Sequence, residues 1–187
     1  MRMVKKSFHE KTLSETTVFE GRVFRLVRKI VKLPNGKTST RDLIVHPGAA
    51  AMIPIDAEGR ILMVRQFRKA AGKEMIELPA GTLDPGESVR ACVQRELQEE
   101  IGFKAKKLRR LISYYPAAGY TTEVIHIFVA KDLVPSQQDA DSDEFLEVVP
   151  MRLEKILDGI RRGKINDSKT IIGILYYRFL ASPAWPG

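Results

Sequence analysis

The chain has 187 residues, 44% hydrophobic and 29% charged, enough for one domain with a full core and one extra element. Its formal net charge is +8, spread over small clusters at 5–6, 104–110 and 161–164; no zinc-finger spacing or aromatic-interleaved basic motif points to nucleic acid. The single cysteine, Cys92, excludes an internal disulfide and a cysteine zinc cage, and no run approaches the roughly 18 apolar residues of a membrane span.

MRMVKKSFHEKT has no apolar stretch of the signal-peptide kind, so a cytoplasmic protein is expected. TTVFEGRVFRLVRKIVKL alternates apolar and polar residues, PNGK supplies a turn, and TSTRDLIVH resumes, which predicts a β hairpin over about residues 15–45. Strands are predicted over 49–54 and 60–66 with DAEG between them, and over 74–78, closing at Pro79-Ala80-Gly81. The strongest helix follows. Pro85-Gly86 breaks the preceding structure, Glu87 suits the positive end of the helix dipole, Val89, Val93, Leu97 and Ile101 recur at spacing four, and Gly102 supplies the stop.

Strands over 107–115 and 123–130, joined by the turn-rich PAAGYT, lead to an acidic loop over 138–144 and a short strand over 145–149. Helices over 153–162 and 168–180 and a frayed SPAWPG tail complete the chain. This order predicts a mixed α/β layered domain, with an N-terminal β region over 1–45, a main domain over 46–182 and a tail over 183–187. Cys92 falls among the apolar helix positions and reads as a small buried hydrophobe. The histidines, His9, His46 and His126, have no metal-ligand spacing and are given no catalytic part.

Glu96, Glu99 and Glu100 crowd one turn of the strong helix, within an arc of about 100°. Glu100 lies about 20° in azimuth from Val93 and therefore leans towards the body of the protein. A buried carboxylate is costly unless paired, and Arg95 is expected to project to the far side. A hard divalent ion bound through oxygen resolves the crowding; a solvated acidic face is the alternative.

GTLDPGESVRACVQRELQEEIGF resembles the signature of the Nudix hydrolases, in which Gly, five residues, Glu, seven residues and Arg-Glu-aliphatic-any-Glu-Glu-any-Gly-aliphatic follow in order. Gly81, Glu87, Arg95, Glu96, Leu97, Glu99, Glu100 and Gly102 occupy those positions, with Phe103 in the last apolar slot. The resemblance implies a Nudix-type α/β/α sandwich with a mixed sheet. It also implies that Glu96, Glu99 and Glu100 bind Mg²⁺, with Mn²⁺ as the alternative, assisted by the Ala80 carbonyl, while Glu87 pairs with Arg95 to brace the loop. Gly81 would permit the tight loop and Gly102 end the helix.

Further segments, among them TRDLIVHPGAAAMIPID, SYYPAAGYTTEVIHIF and GKINDSKTIIGILYY, resemble the ADP-ribose pyrophosphatase branch, and Pro116 matches its proline after the signature. That resemblance implies Mg²⁺-dependent hydrolysis of ADP-ribose to AMP and ribose 5-phosphate. It makes Arg41 and Arg68 candidates for phosphate or ribose and places Glu77 at the site. Glu96 and Glu100 count among the catalytic carboxylates, and the base is expected in QQDADSDEF at Glu144, with Asp143 and Asp141 as alternatives. It further implies a homodimer built through the N-terminal strands, with Phe19 or Phe24 available to stack on adenine. Two rivals stand beside this reading: a pyrophosphatase for another nucleoside diphosphate derivative (a nucleotide sugar, dinucleoside polyphosphate or flavin dinucleotide), and a non-catalytic Nudix domain that binds nucleotide or RNA.

Overall fold

A computed structural model describes residues 7–136 and 145–180. The acidic loop with Asp141, Asp143 and Glu144, and the expected tail over 183–187, lie outside the described residues. The chain divides into two compact units: residues up to Pro47 with Ala117–Glu123, and Gly48–Pro116 with the residues from Val124 onward.

The first unit is a three-stranded antiparallel sheet in the order β1 (Lys11–Glu20), β2 (Arg25–Lys32), β3 (Thr38–Val45). The expected hairpin is thus three strands. The alternating run is cut at Gly21, whose N–H donates to the Phe24 carbonyl at 3.0 Å, because a local turn overrides a periodicity that continues on both sides. The PAAGYT region, expected only to join two strands, belongs mostly to this unit. The Ile44 N–H donates to the Tyr120 carbonyl at 2.8 Å, and the Thr122 N–H returns to the Ile44 carbonyl at 2.9 Å.

The second unit carries a mixed sheet in the order β7 (Ala80–Thr82), β4 (Ala49–Pro54), β9 (Ile125–Pro135), β8 (Phe103–Tyr114), with β4 and β9 parallel. A second, antiparallel sheet runs β10 (Leu146–Met151), β5 (Ile61–Arg68), β6 (Lys73–Glu77). Its helices are α1 (Val89–Ile101), α2 (Leu153–Arg161) and α3 (Ser168–Leu175), the last continuing as a π-helical turn over Tyr176–Leu180 instead of the single helix expected.

Alternation along the central strands builds two cores. Ala51 and Ile53 of β4, with Ile127 and Val129 of β9, pack with Ile156 of α2 and Ile174 of α3. Ala50 and Met52, with Phe128 and Ala130, pack with Cys92, Val93 and Leu97 of α1. Each strand residue points to the opposite face from its neighbour, so a continuous apolar run is buried twice. Fully burying one such side chain contributes roughly 1.5–3 kcal/mol, so these faces hold the helices on either side of the sheet. The result is an α/β/α sandwich with a mixed sheet.

Candidate active site

Ser88 caps α1, its hydroxyl accepting from the Ala91 N–H at 3.2 Å, and Gly102 ends it at φ 73°, a left-handed conformation open to glycine. Glu87 therefore precedes the cap and is not in the first turn, so the dipole argument for it does not hold. Its carboxylate instead accepts from Arg95 Nε and Nη2, both at 3.0 Å, and from the Asp84 N–H at 3.1 Å.

The apolar face of α1, Val93, Leu97 and Ile101 with Cys92, is buried, and the same turns carry Glu96 and Glu100 inward to 7% and 3% exposure. Glu99 is half-buried. The Glu100 Oε2 accepts from the Ala80 N–H at 3.0 Å. At Gly81 a Cβ would stand 1.6 Å from Glu96 Oε1, so only glycine leaves room for that carboxylate against β7. Gly81 lies in a short strand paired with β4, and close approach, not a tight loop, is what requires it.

Arg95 corrects the expectation drawn from azimuth. It does not project to the far side: Nη1 donates to Glu96 Oε1 at 2.6 Å and to Glu99 Oε2 at 2.8 Å, while Nη2 also reaches the Thr82 carbonyl at 3.0 Å. A long guanidinium swings across one helical turn, which a Cα–Cβ direction does not capture. Its hydrogen bond holds Glu87 below the usual carboxylate range against the opposing effect of burial. Burial, with the nearby Glu96 and Glu87 charges, pushes the Cys92 thiol up to about 12.

The donor set of this cluster is all oxygen, the chemistry suited to a hard divalent ion. The glycine-cleared space at Gly81 admits the Glu96 carboxylate to the same place. Glu96, Glu99, Glu100 and the Ala80 carbonyl are the groups that would hold such an ion. The side chains stand in an arginine-bridged arrangement, and among the described residues no three His, Cys, Asp or Glu side chains are grouped as an ion site.

A second charged network adjoins the first, and most of it escaped the sequence reading. Glu77, 1% exposed, accepts from Arg68 Nε at 2.7 Å and Nη2 at 3.0 Å, and from the Lys169 ammonium. Lys169 also lies 3.2 Å from Asp167 Oδ2. Asp167 caps α3 and accepts from the Thr170 hydroxyl at 2.6 Å, and that hydroxyl accepts from the Leu78 N–H at 2.9 Å. Asp167 is readable in sequence as a cap before an apolar run; the Lys169 pairing joins positions 92 residues apart. Burial works to raise the Glu77 pKa, but Arg68 and Lys169 outweigh it and leave it below the ordinary 4.5. Hydrogen bonding to Glu77 in turn raises that of Arg68.

Arg41 belongs to the first unit. There its guanidinium donates to Glu10 at 2.5 and 3.0 Å, to Ser39 Oγ at 3.0 Å and to the Thr40 carbonyl at 2.9 Å. Phe19 and Phe24 are 55% and 40% exposed, with ring centroids 6.3 Å apart.

The family model described as "NUDIX domain" matches residues 45–171. The chain is 42% identical to the methanol dehydrogenase activator of Bacillus methanolicus over 91% of this chain and 94% of that protein. It is 40% identical, with the same coverage, to the ADP-ribose pyrophosphatase of Bacillus subtilis (strain 168). A crystal structure of an ADP compounds hydrolase superposes with a TM-score of 0.82 at 26% identity, covering 93% of this chain and 95% of that one. The family match spans both sheets of the second unit, α1, α2 and the start of α3, and the chain belongs to the Nudix family.

Proposed function

We propose that the protein hydrolyses the pyrophosphate of ADP-ribose to AMP and ribose 5-phosphate with Mg²⁺ as the resident ion. The observation that carries the reading is the pair of buried carboxylates, Glu96 and Glu100, set against Gly81 and Ala80 in a chain similar over nine-tenths of its length to an ADP-ribose pyrophosphatase. Nudix hydrolases generally use a divalent ion, which when bound supplies charge neutralisation of the diphosphate and an activated water.

The chain's own residues supply the rest. Glu96, Glu99 and Glu100 present carboxylate oxygen from one helical turn. Arg95, fixed by Glu87 and the Thr82 carbonyl, braces that turn against the 80–82 strand. Arg68 offers a fork matched to phosphate oxygens, and Arg41 is proposed as a second substrate arginine. Glu144 is proposed to take the proton from the attacking water, with Asp143 and Asp141 as alternatives. A homodimer formed through β1–β3 belongs to the same proposal. It is supported by β1, exposed at all ten positions, and by the exposed Leu13, Val18 and Ile30. A cytoplasmic location accords with the single buried cysteine. Among the described residues no helix is long and apolar enough to cross a membrane.

AMP release from a panel of ADP-ribose, GDP-mannose, diadenosine polyphosphates and flavin adenine dinucleotide, with and without Mg²⁺, tests the reading. ADP-ribose is expected to show the highest kcat/KM and EDTA to abolish turnover. Much faster turnover of another panel member would replace the substrate, and turnover indifferent to EDTA would remove the ion.

A further inference from the structure

Lys169 is 8% exposed, an unusual place for an ammonium at the second position of a helix. Burial of a charge is costly unless it is paired, and an apolar residue of similar length would avoid that cost. Lys169 meets two carboxylates, Glu77 and Asp167. The oxygen it engages on Glu77, Oε2, also accepts from Arg68 Nη2. Two cations therefore fix one carboxylate, and that carboxylate engages Arg68 through Nε and Nη2, leaving the Nη1 edge outside the pair.

The strap from Glu77 to Ala80 is anchored at each residue. Glu77 is held by Lys169 and Arg68, the Leu78 N–H by the Thr170 hydroxyl, the Pro79 carbonyl by the Met52 N–H at 3.0 Å, and the Ala80 N–H by Glu100. Helix α3 presses on the same strap, since a Cβ at Gly173 would come within 3.0 Å of Leu78 Cδ1. Beyond Glu77, the Glu100 and Asp167 charges also help to raise the Arg68 pKa.

We propose that Lys169 is a positioning residue: by pinning Glu77 it fixes Arg68 so that the Nη1 edge is presented to the diphosphate of a bound nucleoside diphosphate derivative. This rests on the functional reading above. It assigns specificity for the anionic centre of the substrate to a residue remote in sequence from the signature helix.

The test measures KM and kcat for ADP-ribose in wild type, K169M, K169R, R68A and the R68A/K169M double variant. K169M is expected to raise KM about tenfold, the worth of one hydrogen bond to a charged group, with kcat within about twofold of wild type. K169R should recover most of that loss, and K169M should add nothing in the R68A background. A wild-type KM in K169M, or effects of K169M and R68A that multiply, would overturn the proposal. A purely structural lysine would lower Tm and the active fraction without moving KM.

If K169M does not fold, E77Q/K169M removes both buried charges and is expected to show the R68A value of KM; a wild-type KM there overturns the proposal equally. A substrate-free readout separates this idea from the functional reading. The ¹⁵N-detected Nε–H of Arg68, assigned by its loss in R68A, should exchange slowly in wild type and rapidly in K169M. Unchanged exchange overturns the positioning role even if ADP-ribose is the substrate. Failure of wild type to turn over ADP-ribose defeats the functional reading alone, and the KM series then uses the panel compound that is turned over.

Discussion

The two carboxylate clusters at the ends of the 77–80 strap are built on opposite charge plans. Around α1 a single guanidinium, Arg95, is shared among Glu87, Glu96 and Glu99. Around α3 two cations, Arg68 and Lys169, meet two carboxylates, Glu77 and Asp167. A matched buried network completes itself and holds a shape, whereas a cluster rich in carboxylate stands ready for a cation brought from outside. On the proposed function, the difference separates a part that does chemistry from a part that holds it in place.

The sharpest way to break this comparison is to remove charge from the carboxylate-rich side. E100Q should lower AMP release by more than the ~10–100-fold typical of groups that only orient metal ligands, while leaving the fold intact. Steady-state kinetics with Mg²⁺ titration checks it, and E100Q activity equal to wild type would dissolve the distinction between the clusters.

Removing charge from the matched side should act on stability and on KM, leaving kcat near wild type. K169M leaves Glu77 buried without one of its two cations and should cost about 3–5 kcal/mol, read as a lower midpoint in urea. G81A sharpens the geometric side of the argument. The added methyl displaces the flexible end of Glu96, so hydrolysis should fall about 10–100-fold while Tm changes little.

Acid should separate the clusters more gently. The folded-state pKa of Glu77 lies below its ordinary 4.5, because its two cations outweigh burial. Glu87 is lowered likewise by Arg95. Both contributions to stability are complete above the unfolded-state pKa and are lost as pH falls through the folded-state values, so wild type should weaken only below about pH 4.5. In K169M the folded-state pKa of Glu77 moves up towards its unfolded value, so the Glu77 share of the acid-induced loss should shrink, which Tm measured from about pH 3 to 7 would show. The smallest effect expected is none at all: with its thiol pushed up to about 12 and buried, Cys92 should not react with a thiol reagent in the folded protein at neutral pH.

Much of this was legible in the residues. Spacing-four apolar positions placed α1, and the short continuous apolar run Ala49–Pro54 marked β4, because each pattern is a local consequence of which faces meet the core. The inward lean of Glu100 followed from helical geometry in the same way. What failed were inferences that needed the reach of a side chain or a local turn. Arg95 bends back to Glu96 and Glu99, Ser88 rather than Glu87 meets the helix start, and Gly21 splits one long alternating run into β1 and β2. Lys169 gave no signal, since a lysine after an Asp-Ser cap reads as a solvated first turn.

By itself the sequence determined α1, the central strands and the concentration of oxygen donors on one turn of α1, since these are set by residues within a few positions of one another. Tertiary structure alone decided which charges answer one another. Glu77 meets Lys169 across 92 positions, and Gly81 clears space for Glu96, because chain folding brings their elements within hydrogen-bond or contact distance. Electrostatic and packing energies depend on that separation in space and not on separation along the chain.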